Sequence, residues 1–183
     1  MVEDLVSLGI SKPLIVFIVS MLPVSELRGA LPVAINVFNM PWYFALPIAL
    51  VGNIFPVPFI LLFLERLRRF SAKIGIIGEA MEKIFNLARR RTRLVEKYGR
   101  IGLMLFVAIP LPVTGAWTGS IAAFLLGMRF RDALPSICLG VLLSGVIVTV
   151  LCILGWVGAV IAGVGLAALV VIGFWPRKGE RSS

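Results

Sequence analysis

The chain contains no histidine, and its 183 residues include only two cysteines, Cys138 and Cys152, and two aspartates, Asp4 and Asp132. Without histidine there is no HExxH zinc site, no serine–histidine dyad and no ordinary base at neutral pH. Neither aspartate lies deep in an apolar run, so a paired-aspartate membrane protease is unsupported as well. The cysteines share one apolar segment about 21 Å apart along a helix, too far to bridge, and read as small apolar fillers. Enzyme chemistry is therefore not expected, nor is a metal or cofactor.

What the chain has is apolar surface. Sixty per cent of it is hydrophobic, more than a soluble domain of this size can bury. Apolar runs long enough to cross about 30 Å of hydrocarbon lie at 43–64, 133–154 and 156–175. These dimensions describe a single membrane domain over 1–183. At the N-terminus, Glu3 and Asp4 stand where a signal peptide carries basic residues, and no small-residue cleavage site follows, so this segment is expected to be retained.

The formal charge of +9 is unevenly placed: residues 65–100 hold 11 of the 18 basic residues, the excess that marks a cytoplasmic loop. Within that segment Ile74, Ile77, Met81 and Ile84 recur at helical spacing, and Glu79 with Lys83 forms a supporting pair. A basic amphipathic helix on the inner membrane surface is expected. Arg89, Arg90, Arg91 and Arg93 are its candidate contacts with anionic lipid head groups, the alternative being that they only fix topology. Nucleic acid is not an expected partner.

Two apolar tracts do not read as ordinary spans. Pro23 and Pro32 break 13–38 around "PVSELRG", and Pro110 and Pro112 break 101–128 around "PLPVTGAWTGS". The leading pieces, 13–22 and 101–109, reach only about 15 Å as helices, which suits re-entrant hairpins. If the second tract returns to its own side, Arg129 and Arg131 join the basic segment and the C-terminus in the cytoplasm, gathering 16 of 18 basic residues there.

An internal repeat fits this layout. "PVS" at 23–25 recurs as "PVT" at 112–114, and "ALPIALVG" at 45–52 recurs as "ALPSICLG" at 133–140. Each half would be a hairpin followed by a span, repeat 1 over about 13–64 and repeat 2 over about 101–154, in opposite orientations. The expected fold is thus an all-α integral membrane protein, with about three transmembrane helices and two opposed re-entrant hairpins as inverted repeats. Ser136, Gly140 and Ser144, and likewise Gly155, Ala159, Gly163 and Ala167, recur every four residues and are read as packing faces.

Glu26 and Arg28 are the only charges between Pro13 and Leu64. Ser25 has N-cap chemistry and Thr114 holds the corresponding place in the second hairpin, so each hairpin would present a helix N-terminus near the membrane centre. Two such termini and Arg28 make a site for an anion, and Glu26 is the natural proton carrier or cation partner. Residues two apart on a helix point in very different directions, so Glu26 and Arg28 would face different partners. Both could instead hold the hairpins together structurally. Trp117 could line the cavity or pack, and Asn53 could touch substrate or bridge helices.

"PVSELRGALPVAI" together with "FVAIPLPVTGAWTGSIAAFLLGM" resembles the small multidrug export family of prokaryotic membrane proteins, over residues 10–155 or so. The paired hairpins are more distantly similar to the DedA/VTT superfamily, whose resemblance implies lipid movement and an acidic residue matching Glu26. That superfamily carries arginines around F-x-x-R-x-x-P in its second hairpin. This chain has "LFVAIPLPVTG" there, with Ala108 in the arginine position, which leaves Arg28 as the only intramembrane guanidinium.

The expected function is a plasma-membrane transporter or flippase for an amphipathic, anionic, lipid-linked substrate, with proton coupling through Glu26 and a homodimer as a plausible assembly. The alternatives are a non-transporting scaffold that binds anionic lipid or a partner protein, and a proton-coupled exporter of cationic drugs, in which Arg28 has no clear role.

Overall fold

The computed structural model describes residues 9–71, 93–110, 114–155, 157, 158, 160 and 163–165. Among these the regular elements are α1 (Lys12–Met21), α2 (Glu26–Pro32) running into a π-helical turn (Val33–Val37), α3 (Trp42–Ile54), α4 (Pro56–Ser71), α5 (Arg93–Ala108), α6 (Ala116–Leu125) and α7 (Phe130–Ile153).

Two stretches are long and apolar enough to cross a membrane, Trp42–Arg66 and Phe130–Ile153. They correspond to the expected spans 43–64 and 133–154. The first is α3 and α4 joined through the single residue Phe55, whose N–H reaches the Val51 carbonyl across the joint at 2.9 Å. Pro56 opens α4, where a missing N–H costs least. The last expected span, 156–175, lies largely outside the described residues, as does the centre of the basic segment. Of that segment's ends, 65–71 continue α4 and Arg93 opens α5. Cys138 and Cys152 are both free, half-buried and buried.

The remaining apolar helices are short. α1 and α6 have ten residues each, and Gly99 (φ 53°, ψ −119°) kinks α5 so that its apolar part is Gly99–Ala108. Each reaches about 15 Å, half the hydrocarbon thickness.

Packing sets the short helices against the long ones in a matched pattern. α1 lies on α3 and α5 lies on α7, while α2 packs on α7 and α6 packs on α4. Gly52 and Gly140, 88 residues apart, make the equivalent close approach in the two halves. A Cβ on Gly52 would come within 2.5 Å of the Phe17 carbonyl oxygen of α1, and one on Gly140 within 2.7 Å of the Met104 carbonyl oxygen of α5.

The turns into the long helices match as well. Asn39 (φ 51°) and Gly127 (φ 67°) hold left-handed backbone, the conformation Gly and Asn tolerate best. After each comes a methionine whose N–H reaches back into the preceding helix, Met40 to Ala34 at 2.9 Å and Met128 to Ala123 at 3.0 Å. Pro41 and Arg129 are then extended, and the helices restart at Trp42 and Phe130. At the second site Gly127 N–H also reaches the Phe124 carbonyl, completing a Schellman stop for α6.

Ile15, Leu27, Leu31, Leu103, Ile137 and Val141 form the buried centre. Ser136, Gly140 and Ser144 are buried on one face of α7, as their four-residue spacing predicts. Large apolar side chains cover the outside, with Phe59 62% and Phe63 68% exposed on α4 and Leu139 52% and Ile153 56% exposed on α7. So much exposed hydrocarbon suits lipid and not water. Gly145 meets Leu46 and Leu50, while the start of α7 meets Leu61 and Glu65, so α7 runs antiparallel to α3 and α4. Arg129 and Arg131 therefore share one end of the bundle with the beginning of the basic segment.

Candidate functional site

The site is built where the two breaks meet. Between α1 and α2 the chain turns through Leu22–Ser25, and Glu26 N–H reaches the Leu22 carbonyl at 3.0 Å. Glu26 then opens α2 with φ 44°. For a residue with a Cβ this backbone costs on the order of 1–3 kcal/mol and persists only where its surroundings over-determine it.

The surroundings here are the other half of the chain. The Glu26 side chain is only 7% exposed, and its Oε1 accepts a hydrogen bond from the backbone N–H of Trp117 at 3.3 Å. Trp117 is the second residue of α6, so a carboxylate from the first half caps a helix of the second, at the end where negative charge is favoured. Gly115 makes the approach possible, because a Cβ there would overlap the carboxylate. The crossing is returned: the Trp117 indole Nε1–H donates to the Met21 carbonyl at 3.0 Å, satisfying an orphan acceptor at the end of α1.

Arg28 reaches the same region. Its Nη2 donates to Thr114 Oγ1 at 3.4 Å, and the Thr114 hydroxyl donates to the Ile109 carbonyl within the second break. Among the described residues no ion pair joins Glu26 to Arg28, in line with their spacing. The cap assignments need correction. Ser25 occupies the cap position of α2 in right-handed helical conformation without a side-chain cap bond, and Gly115, not Thr114, precedes α6. A threonine next to a break binds the break's own carbonyl as readily as a helix N–H.

Asn53 completes the constellation. It is 2% exposed in the middle of the first long span, and its Oδ1 has no hydrogen-bond partner. The Arg28 Nε–H is likewise buried and unpaired. Glu26, Arg28, Asn53 and Ser144 line one gap too tight to admit a water molecule. Each buried polar atom left unpaired costs about 1–3 kcal/mol, so a donor and an acceptor orphaned in one gap require an explanation.

Of the residues expected from sequence, Glu26, Arg28, Thr114 and Trp117 are brought together, and Ser25 adjoins them without contributing a side-chain bond. Trp117 does more than line or pack, since it ties both breaks. Gly115 was not foreseen; a glycine directly before an aromatic helix start was the available signal. Arg89, Arg90 and Arg91 lie outside the described residues, and Arg93 is the first residue of α5.

No curated protein and no solved structure gives a significant match to this chain. A family of proteins described as "Putative small multi-drug export protein" matches residues 26–147, more than half of the chain, including Glu26, Arg28, Asn53, Thr114, Gly115, Trp117 and Ser144. The chain belongs to that family, and its role is one of membrane transport.

Proposed function

We propose that the chain is a transporter or flippase that moves an amphipathic substrate bearing an anionic group, by opening and closing the gap where the two breaks meet. The observation that carries this is the occupancy of the α6 N-terminus by Glu26 beside two orphaned polar atoms, Arg28 Nε and Asn53 Oδ1. In the described conformation the gap is occluded. A proton on Glu26 removes the charge that the α6 amides hold, and a phosphate or similar group then takes its place, with Arg28 as its cationic partner. Loss of the proton restores the cap and expels the anion.

The matched packing of α1 on α3 and α5 on α7, with the paired turns at Asn39 and Gly127, supports two re-entrant hairpins as inverted repeats. Such repeats rock about a midplane site formed by broken helices. The more distant resemblance to the DedA/VTT superfamily supports a lipid-linked substrate. In this scheme the basic segment, including Arg89, Arg90, Arg91 and Arg93, faces the cytoplasm and contacts anionic lipid.

One other reading has an observation in its favour. The family description speaks of drug export, and a proton-coupled exporter of cations would use Glu26 directly. It leaves a half-buried arginine beside a cationic substrate, which is unfavourable.

Transport into proteoliposomes, with polyprenyl phosphates and lipophilic cations as candidates, separates the two. The anionic-substrate reading expects pH-dependent movement of the phosphate, abolished by Glu26→Gln and weakened by Arg28→Lys, with both variants folded. Movement of cations alone, or wild-type rates in Glu26→Gln, would overturn it.

A further inference from the structure

A second cavity lies away from the Glu26 gap, at the end of the bundle where α4 finishes and α7 begins. It holds about 410 Å³, within the range of about 300–1,000 Å³ typical of small-molecule pockets. Leu61, Phe124 and Phe130 form its apolar wall, and Arg129, Arg131 and Glu65 its polar rim. From these residues the geometry points to a binding site for the phosphate head group of an anionic membrane lipid, held by Arg129 and Arg131, with the start of its chains against the apolar wall.

Three observations carry this. The first concerns charge. Asp132, the acidic residue nearest in sequence, is engaged by Arg100 in an ion pair, and neither Arg129 nor Arg131 forms an ion pair among the described residues. Two guanidiniums therefore face one carboxylate across the cavity, and the net sign favours an anion. Guanidinium is also the side-chain group best shaped for phosphate.

The second is that the arginines are not needed to make the turn. Asn39-Met40-Pro41-Trp42-Tyr43 forms the equivalent stop and restart with a proline and a tyrosine where Gly127-Met128-Arg129-Phe130-Arg131 has its two arginines. Trp42 and Tyr43 are 51% and 66% exposed, the aromatic pattern of a membrane interface. The same backbone thus carries aromatic anchors at one end of the bundle and two arginines beside a cavity at the other.

The third is amphipathy. Exposed arginines stand beside the apolar wall of Leu61, Phe124 and Phe130, which can take the start of an acyl chain and offers a free anion nothing to bind.

The site is separate from the transport gap and does not rest on the transport reading, so it is tested without transport. Purified full-length protein in a neutral detergent is melted with added phosphatidylglycerol, phosphatidylcholine or inorganic phosphate. Phosphatidylglycerol is expected to raise Tm by several degrees in a salt-sensitive way, phosphatidylcholine and inorganic phosphate by much less. Arg129→Gln with Arg131→Gln should remove most of that shift, while Lys12→Gln, a basic residue over the Phe38 ring, should retain it. If the double variant does not fold, Arg131→Tyr, the residue found at the equivalent position 43, should halve the shift or more. An undiminished shift in these variants would mean that the arginines serve topology only and overturns the site. An equal shift with inorganic phosphate would overturn the lipid assignment.

Discussion

The Glu26 carboxylate caps the helix that Trp117 begins, and the Trp117 indole in turn caps the helix that ends at Met21. Each break in the chain is therefore completed by a residue more than 90 positions away, and neither half satisfies its own backbone without the other. Hydrogen-bonded broken helices at membrane depth are tolerated only where protein supplies such partners. The same exchange explains why Glu26 persists in left-handed backbone: releasing it would expose the Trp117 amide as well as a carboxylate.

Gly115→Ala is expected to disable the site without touching a charged residue. The added methyl overlaps the Glu26 carboxylate, so the cap on α6 must move or break. Loss of a charged helix cap costs about 0.5–2 kcal/mol, and transport should fall far more than the melting temperature does. Parallel melting and transport measurements check this; wild-type transport in Gly115→Ala would show that the Glu26 cap has no part in function.

Asn53→Leu and Thr149→Val should part company. Both remove a buried side-chain oxygen that has no partner, so both are expected to stabilise the fold, by about 1–3 kcal/mol at most. Only Asn53 lines the Glu26 gap. Transport should be lost in Asn53→Leu and kept in Thr149→Val. A stable Asn53→Leu protein with full activity would remove Asn53 from the site.

The parts of this fold that follow from local physics can be read from the sequence, and the parts that depend on distant partners cannot. Hydrophobic length predicts the two long spans, whose observed starts at Trp42 and Phe130 fall one and three residues before the expected 43 and 133. Pro23 and Pro110, which cannot donate a backbone hydrogen bond, mark the two breaks. Pro32, however, expected to break the first tract, lies inside α2 just before the π-helical turn, and Pro47 and Pro135 lie inside the long helices. Ser25 and Thr114 fit the local spacing of caps, yet the group that caps α6 comes from Glu26 in the other half, and nothing in "PVTGAWTG" points to it. The repeated stop at Asn39-Met40 and Gly127-Met128 is not legible either, because the two pairs share only the methionine and the common feature of Asn and Gly, tolerance of left-handed backbone, is not a sequence match.

Orientation is open to direct labelling. Arg131 and Glu65 share one end of the bundle, and Tyr43 lies at the start of the antiparallel span. In a background lacking Cys138 and Cys152, Arg131→Cys is expected to react with a membrane-impermeant reagent from the cytoplasmic side, and Tyr43→Cys from outside. Labelling of position 131 from outside would reverse the positive-inside assignment.

The glycine pair tests whether the two halves are built alike. Gly52 lets α3 approach the Phe17 carbonyl of α1, and Gly140 lets α7 approach the Met104 carbonyl of α5. In both cases a side chain crowds the position as well, Ser20 Oγ against a Cβ on Gly52 and Val107 Cβ at 2.7 Å from one on Gly140, but the carbonyl cannot rotate away as a side chain does, so a methyl group forces the helices apart. Overpacking of this kind costs about 1–3 kcal/mol. Gly52→Ala and Gly140→Ala are each expected to lower Tm by several degrees, and by similar amounts. Trimming the facing side chains tests the cause. Ser20→Ala should not restore Gly52→Ala, nor Val107→Ala fully restore Gly140→Ala, because the carbonyl oxygens remain. Full rescue by either trim would mean that side chains set the helix spacing, and an unchanged Tm in one glycine variant alone would mean that the two halves pack by different rules.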